Sequence, residues 1–359
     1  MPGNISSLLT TGKLACPRCK TPFATGENPH CSSCNIDFPV LAGIPLLVNN
    51  PEEYVGSWIQ QFRNFILQQQ HSIQHESNMI ASPATYPPVK ERLSNVIRAK
   101  TGNLQTIADL MAPLRDAGPG VSPKENITAT GQFSAPHYLL RDWAWDTNEP
   151  DLMCDKVKEI LPSDLSMESL LVIGAGGCRE SYILHEHYNC PLTVSTDIDP
   201  FKLLAASHII SGGELNLYQI FQNNIRNAHD NVSYWKLRAP HSLNNGFHYM
   251  LSDARQLPVA DNAFHVAFTP FIIDEVGEDL RAFAPRIHQL VQPGGYWVNY
   301  GVMTFRPEIS YTGEEVLAIV EDSGFRILTH GYDKKFHVAP RENCLHQMFD
   351  CLYFTAVKD

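Results

Sequence analysis

The run Leu170–Arg179, Leu-Leu-Val-Ile-Gly-Ala-Gly-Gly-Cys-Arg, restricts the fold more than any other part of the chain. Apolar residues lead straight into small ones, the pattern of a buried strand that ends in a tight turn. A helix-like segment, Glu180–Tyr188, follows, and a second apolar run, Leu192–Thr196, ends at Asp197. Strand, glycine turn, helix, strand, acid is how a doubly wound sheet holds an adenosine-bearing cofactor. The small residues at 174–177 let backbone N–H groups approach a ligand, and an acid at the second strand's end can grip two ribose hydroxyls. A short glycine motif is weak by itself, so the rest of the chain must decide which cofactor is held.

The alternation continues beyond that unit. Strand 169–174, helix 178–188, strand 192–197 and helix 200–210 are followed by an extended interruption over 211–246. The pattern then resumes with strands 247–251 and 264–269, helix 278–291, strand 295–300, helix 313–323 and strands 325–331 and 349–357. An α/β chain ending in a helix and two strands predicts the Rossmann-like class I methyltransferase sheet, whose last strand inserts antiparallel. Three positions favour S-adenosylmethionine over a nicotinamide cofactor. Asp253, in Ser252-Asp253-Ala254, follows the third strand, where an acid can accept from the adenine amino group. Leu257-Pro258-Val259-Ala260-Asp261-Asn262-Ala263-Phe264 resembles the LP-DN-F lead-in to the fourth strand common to these methyltransferases, and Gln292-Pro293-Gly294-Gly295 resembles the L-PGG turn that precedes their fifth. Each is weak alone; in this order and spacing they are strong.

At the N-terminus Cys16-Pro-Arg-Cys19 and Cys31-Ser-Ser-Cys34 form two knuckles. Two C-x-x-C turns complete a tetrahedral thiolate site, which predicts a structural Zn²⁺ because four thiolates leave no open coordination position. So small a module needs the metal to fold. The run after it, with Phe38-Pro39-Val40 and Gly43-Ile44-Pro45, resembles the zinc-binding activator module that accompanies several methyltransferases. A recognition or docking module and a stabilising cap both remain open. The expected divisions are 1–50, a zinc ribbon; 51–165, a helical region; and 166–359, the catalytic domain. Within the helical region, Trp58, Ile59, Phe62, Phe65 and Ile66 at helical spacing predict a packing face. His71 and His75 predict a solvated face. Residues 82–88 form a proline-rich break, and 117–124 a loop.

The formal charge of −11 disfavours nucleic acid as a partner without excluding a local basic patch. No apolar run is long enough to span a membrane, and the first residues lack the pattern of a signal peptide. With nine cysteines, four of them metal-spaced, a reducing cytoplasmic setting is expected. The other five predict small buried apolar residues.

Ser134–Trp145, SAPHYLLRDWAW, precedes the glycine turn. Arg141 and Asp142 there suit either an ion pair bracing a helix or a guanidinium reaching the carboxylate of an amino-acid-like cofactor. Arg141-Asp142-Trp143, Leu217-Tyr218, Asn223-Asn224, Pro240-His241-Ser242, Phe271-Ile272-Ile273-Asp274, Gly294–Gly301, Ile309-Ser310-Tyr311 and Cys351-Leu352-Tyr353-Phe354 follow the order seen in the carnosine N-methyltransferase-like family. The chain resembles that family over roughly 134–359. The resemblance implies methyl transfer to an imidazole nitrogen of a small histidine-containing molecule. By matching positions it implies that Tyr138 and Arg141 face the cofactor's methionine part, Gly174 and Gly176 its backbone, Asp197 the ribose, Asp253 the adenine, and Pro270 the cofactor at the fourth strand's end. Phe271 and Asp274 would face the substrate, with Asp274 fixing the acceptor's tautomer; alternatively, Asp274 caps the following helix. The family's pocket histidine after the fifth strand is replaced by Arg306, which can hold a substrate carboxylate or lie exposed. The tyrosine run before the last strand is replaced by His346-Gln347-Met348-Phe349, and by the resemblance both changes fall on substrate-facing parts. The expected activity is an S-adenosylmethionine-dependent N-methyltransferase acting on a small imidazole- or amine-bearing metabolite. The alternative is an RNA or protein methyltransferase that docks its substrate, or a protein partner, through the ribbon.

Overall fold

A computed structural model of the chain describes residues 5–118, 136–243 and 245–359. Seven strands form one sheet: β1 (Leu170–Ile173), β2 (Thr193–Asp197), β3 (Phe247–Leu251), β4 (Phe264–Pro270), β5 (Val291–Gly301), β6 (Phe325–His337) and β7 (Gln347–Lys358). Their order is β6-β7-β5-β4-β1-β2-β3. All neighbouring pairs among β1–β5 are parallel, whereas β7 runs antiparallel to both β5 and β6. This is the expected class I methyltransferase sheet with its inserted antiparallel strand.

Strand alternation divides the core into two layers. Leu170 and Val172 of β1 enter one, and Leu171 and Ile173 enter the other. The first layer holds apolar residues of α1 (Pro51–Ala81), α2 (Pro87–Leu110), α3 (His137–Trp143), α4 (Glu149–Ile160), α5 (Arg179–Tyr188) and α6 (Pro200–Ile210). The second holds α7 (Leu280–Leu290), α8 (Gly313–Asp322) and the N-terminal ribbon, through Leu14, Cys16, Phe23 and Phe38. The N-terminal segment therefore shares the core of the sheet. A helix at Ile5–Thr10 precedes it and contributes Leu8 and Leu9 to that layer.

Boundaries differ from expectation where local chemistry decides them. Pro87 sits in the first turn of α2, where its missing N–H costs nothing, so the break narrows to residues 82–86. Ala117 and Gly118 of the expected 117–124 loop are described; its remainder, with Ser134 and Ala135, lies outside the described residues. The interruption at 211–246 contains an antiparallel hairpin, Leu215–Ile220 with Val232–Leu237. Asn103 of α2 grips its edge, donating to Tyr218 O at 2.8 Å and accepting from Tyr218 N at 2.7 Å. β6 continues to His337, six residues past the expected 331, because it pairs with β7 as far as Gln347. Cys154, Cys178, Cys190 and Cys351 are buried as expected, but Cys344 is exposed.

The C-terminal end of β7 is pinned. Lys358 Nζ donates to Asn262 Oδ1 at 2.8 Å, His288 O at 2.6 Å and Val291 O at 2.8 Å. Lys358→Met keeps the stem but leaves three acceptors unpaired. A loss of about 2–3 kcal/mol is expected in urea unfolding; an unchanged midpoint would show that the amine contributes nothing to stability.

Candidate active site

The glycine turn, the end of β2 and the turn after β4 meet at the carboxyl edge of the sheet, where strand order reverses between β1 and β4. A cleft of about 570 Å³ opens there. Tyr138, Arg141, Gly174, Gly176, Asp197, Pro270, Phe271 and Asp274 all line it. Asp253 lines an adjoining recess of about 70 Å³ that shares Gly174, Asp197, Ile198, Ile272 and Glu275 with the cleft.

α3 is clamped over the glycine turn. Trp143 Nε1 donates to Gly177 O at 2.8 Å. Arg141 Nε donates to Asp142 Oδ1 at 2.7 Å, and its Nη2 to Glu180 Oε1 at 3.2 Å. Arg141 thus forms the bracing ion pair and also borders the cleft. A Cβ at position 177 would come within 2.3 Å of Asp142 Oδ2, so only glycine permits this approach. Burial raises the Asp142 carboxyl above its ordinary range despite the guanidinium beside it. Arg141 lies 5.5 Å and Lys202 5.4 Å from the centroid of the Tyr138 ring.

Gly176 has φ +53°, a left-handed conformation that glycine adopts without strain, and its N–H donates to Asp197 Oδ2 at 2.8 Å. Asp197 Oδ1 accepts from Asp199 N at 2.9 Å. Both oxygens are oriented by backbone and keep lone pairs for a ligand's hydroxyls. Asp253 accepts from Arg255 N at 2.9 Å and from its guanidinium, with Nη2 at 2.6 Å. Glycine cradle, oriented acid and adjoining recess fit an adenosine-bearing group.

Across the cleft, Phe271 follows β4 at φ +49°, a conformation costing about 1–3 kcal/mol in a non-glycine residue. Its N–H donates to Tyr300 O at 2.8 Å, which fixes the turn. Asp274 is 5% exposed; its Oδ2 accepts from Thr304 N at 2.9 Å, and its Oδ1 is buried with no partner. Burial raises its carboxyl above the ordinary value. Asp274 is not the cap of the next helix: α7 is capped by Asp279, which accepts from Arg281 N at 2.8 Å. Arg306 is exposed on its loop, with its guanidinium beside Gly277 and outside the residues lining either space.

Several lining residues escaped the sequence reading. Trp58, expected only to pack, is buried and borders the cleft, while Tyr54 on the same helix donates to Ile198 O at 2.7 Å. A tryptophan on a polar helix was the available signal. Lys202 stands one turn after Asp199, which caps α6. His337 enters from β6, and ending that strand at 331 had removed it from view; Gln347 and Phe349 of β7, by contrast, belong to the run already set against the family's substrate-facing tyrosines, and both line the cleft. His337 stacks on Phe349 at 4.7 Å and packs on Phe271 at 5.2 Å.

Away from the cleft, the ligand atoms of Cys16, Cys19, Cys31 and Cys34 all lie within 4.8 Å of one another. A tetrahedral zinc site with Zn–S near 2.3 Å has edges of about 3.8 Å, so four thiolates this close fit one ion. Lys20 and Asn35, each next to a knuckle's second cysteine, are left-handed at φ +62° and +52°, which turns the chain back around the sulfurs. No helix among the described residues is long and apolar enough to cross a membrane.

The mouse carnosine N-methyltransferase is 24% identical over 239 residues, 59% of this chain and 58% of that protein. The chain therefore matches less than two thirds of that relative's length. Among solved structures, phosphoethanolamine N-methyltransferase 2 of Haemonchus contortus with S-adenosyl-L-methionine is 15% identical, covering 59% of this chain and 52% of that one, with TM-score 0.38. A SAM-dependent methyltransferase from Aquifex aeolicus is 16% identical, covering 63% and 100%, with TM-score 0.40. The [4+2]-cyclase SpnF is 15% identical, covering 72% and 95%, with TM-score 0.42. A family model described as carnosine N-methyltransferase matches residues 133–359, more than half of the chain and every strand around the cleft. With that match, the chain belongs to the carnosine N-methyltransferase family.

Proposed function

We propose that the protein is an S-adenosylmethionine-dependent N-methyltransferase whose acceptor is a small metabolite bearing an imidazole or amine nitrogen. The observation that carries this reading is the buried, partnerless Oδ1 of Asp274 in the same cleft as the glycine turn and Asp197. A buried acceptor oxygen without a donor costs about 1–3 kcal/mol, which a ligand N–H relieves.

Gly174, Gly176 and Asp197 hold the cofactor's backbone and ribose, Asp253 the adenine, and Tyr138, Arg141 and Pro270 the methionine end. S-adenosylmethionine supplies an already activated methyl group when bound, so the protein's task is placement. Asp274 accepts the acceptor's far N–H, leaving the lone pair of the near nitrogen facing the methyl and making it more electron-rich. Phe271, His337 and Phe349 wall that half and exclude water. Asp274 and Glu275 there favour a neutral or cationic nitrogen base. The four ribbon thiols hold a structural Zn²⁺. Because Leu14 bridges Val259 and Ala15 N donates to Pro258 O, beside Cys16, they support a stabilising cap over a docking module for RNA or protein. Four metal-spaced cysteines and five unpaired ones suit the cytoplasm.

Calorimetry with S-adenosylhomocysteine is expected to show binding to the wild type that weakens at least about tenfold in Asp197→Ala, since two ribose hydrogen bonds to a charged oxygen are lost. No heat with the wild type sinks the cofactor assignment. Labelled S-adenosylmethionine offered with carnosine, other histidine derivatives, amines and small RNAs identifies the acceptor. Label appearing only in RNA would overturn the metabolite reading.

A further inference from the structure

The aromatic wall of the acceptor half is held by a residue that never enters the cleft. Glu149 stands in the first turn of α4 and is only 5% exposed. Its Oε2 accepts from Val338 N at 2.8 Å and its Oε1 from Ala339 N at 3.0 Å. Val338 is left-handed at φ +49°, an outlier for a β-branched residue that persists only where surrounding contacts enforce it. The same helix start accepts from Lys335 Nζ through Glu149 O at 2.9 Å. Residues 335, 338 and 339 are thus tied to Glu149, and between them lies His337, stacked on Phe349 with its Nδ1 buried and partnerless.

We propose that Glu149 is a positioning residue for the acceptor half of the site: its carboxylate enforces the left-handed turn after β6 and thereby fixes the His337 ring against Phe349 and Phe271. This rests on reading that wall as the acceptor's. Helix and turn are far apart in sequence, so without the buried carboxylate two neighbouring backbone N–H groups lose their acceptors and Val338 relaxes to an extended conformation. The ring then leaves the stack and the acceptor loses one side of its slot. A buried aspartate or glutamate used only as a helix N-terminal charge would face the first turn of α4; here both oxygens face the other segment.

The surroundings of His337 make its ring a reporter. Burial first, and then the Arg141 and Lys335 cations, push its imidazole down to about 4. Tyr138 from α3, Phe271 from the turn after β4, and Gln347 and Phe349 from β7 border the same part of the cleft. Histidine-labelled protein without ligand, with the signal assigned through His337→Gln, is titrated by NMR. In the wild type the His337 signal should carry a ring-current shift and stay neutral to about pH 4. In Glu149→Ala the shift should collapse and the midpoint rise by about one unit or more toward 6.5. S-adenosylhomocysteine affinity within about twofold of wild type would show that the rest of the site is folded. If Glu149→Ala does not fold, Glu149→Gln, which keeps one acceptor, should give the same changes in smaller measure. A lowered melting temperature with the His337 signal unmoved in either variant overturns the proposal. Because the titration is read without ligand, it stands apart from whether the wild type binds S-adenosylhomocysteine, which tests the methyltransferase reading.

Discussion

Asp274→Asn is expected to bind S-adenosylhomocysteine within about twofold of wild type and to turn over at least about 100-fold more slowly, the usual scale for losing a positioned acid–base group. The substitution is isosteric, and the amide oxygen still accepts from Thr304 N, so the turn after β4 survives. What disappears is the charge that polarises the acceptor's ring. Its amide also presents an N–H₂ to one of two positions that must both accept. Turnover with the acceptor found by the labelled screen decides the matter, and unchanged turnover would reduce Asp274 to a loop brace.

The same residue predicts the direction of two pH effects. Burial raises its carboxyl, so the ionised form needed for catalysis accumulates only above the ordinary range, and the acid limb of kcat/KM is shifted upward. In Asp274→Asn the part of that limb owed to the enzyme should vanish, leaving only the acceptor's own protonation. For stability the sign is opposite. A folded-state value above the unfolded one means that the native state holds its proton more tightly; the stability this confers is present below the unfolded value, near 3.8, and is lost as pH rises through the folded one. Near neutral pH, Asp274→Asn is therefore expected to be at least as stable as wild type. Catalysis and stability moving in opposite directions is the mark of a residue kept for its chemistry.

That the residues proposed for the cofactor share one cleft was legible in the sequence, because close backbone approach and oriented acids demand particular residues at fixed places. Only glycine fits at 177 beside Asp142, and the acid of β2 must fall at the strand's end, at Asp197. The half proposed for the acceptor was legible where it borders that frame, at Phe271 and Asp274, and in the run 346–349, where the family resemblance pointed. His337 sits on the edge strand β6, whose more buried face beyond 331 carries Asp333, Lys335 and His337 in place of apolar residues, so hydrophobic periodicity gave no reason to extend the strand. What extends it is pairing with β7 and the clamp from Glu149, both contacts distant in sequence. Trp58 was misjudged for a similar reason: apolar spacing marks a buried face and says nothing of whether part of that face borders a cavity. Arg306 replaced an expected pocket residue in register but lies on an exposed stretch that the register could not reveal.

Stripping the metal from the ribbon is expected to weaken S-adenosylhomocysteine binding at least about tenfold, although the ribbon does not line the cleft. Lys13 O accepts from Ala260 N at 2.9 Å, Ala15 N donates to Pro258 O at 3.0 Å, and Leu14 bridges Val259. Lys20, one residue beyond a ligand cysteine, donates through Nζ to Leu257 O, and Leu47 N donates to Leu251 O at 2.8 Å. These bonds hold the segment between β3 and β4, which carries Asp253 and Arg255 of the recess assigned to adenine. A structural zinc contributes roughly 10–16 kcal/mol to modules of this kind, so its loss unfolds the knuckle and releases that segment. Metal analysis should give one zinc per chain, absent in Cys16→Ser with Cys19→Ser. Calorimetry on that variant and on chelator-treated wild type should show the same weakened affinity. Linkage requires the reverse effect too: bound S-adenosylhomocysteine should raise zinc affinity by the same factor, read as less zinc lost at equilibrium to a competing colorimetric chelator. Full affinity in metal-free protein would mean that the ribbon does not support the recess, and would return it to the docking role that its resemblance to an activator module first allowed.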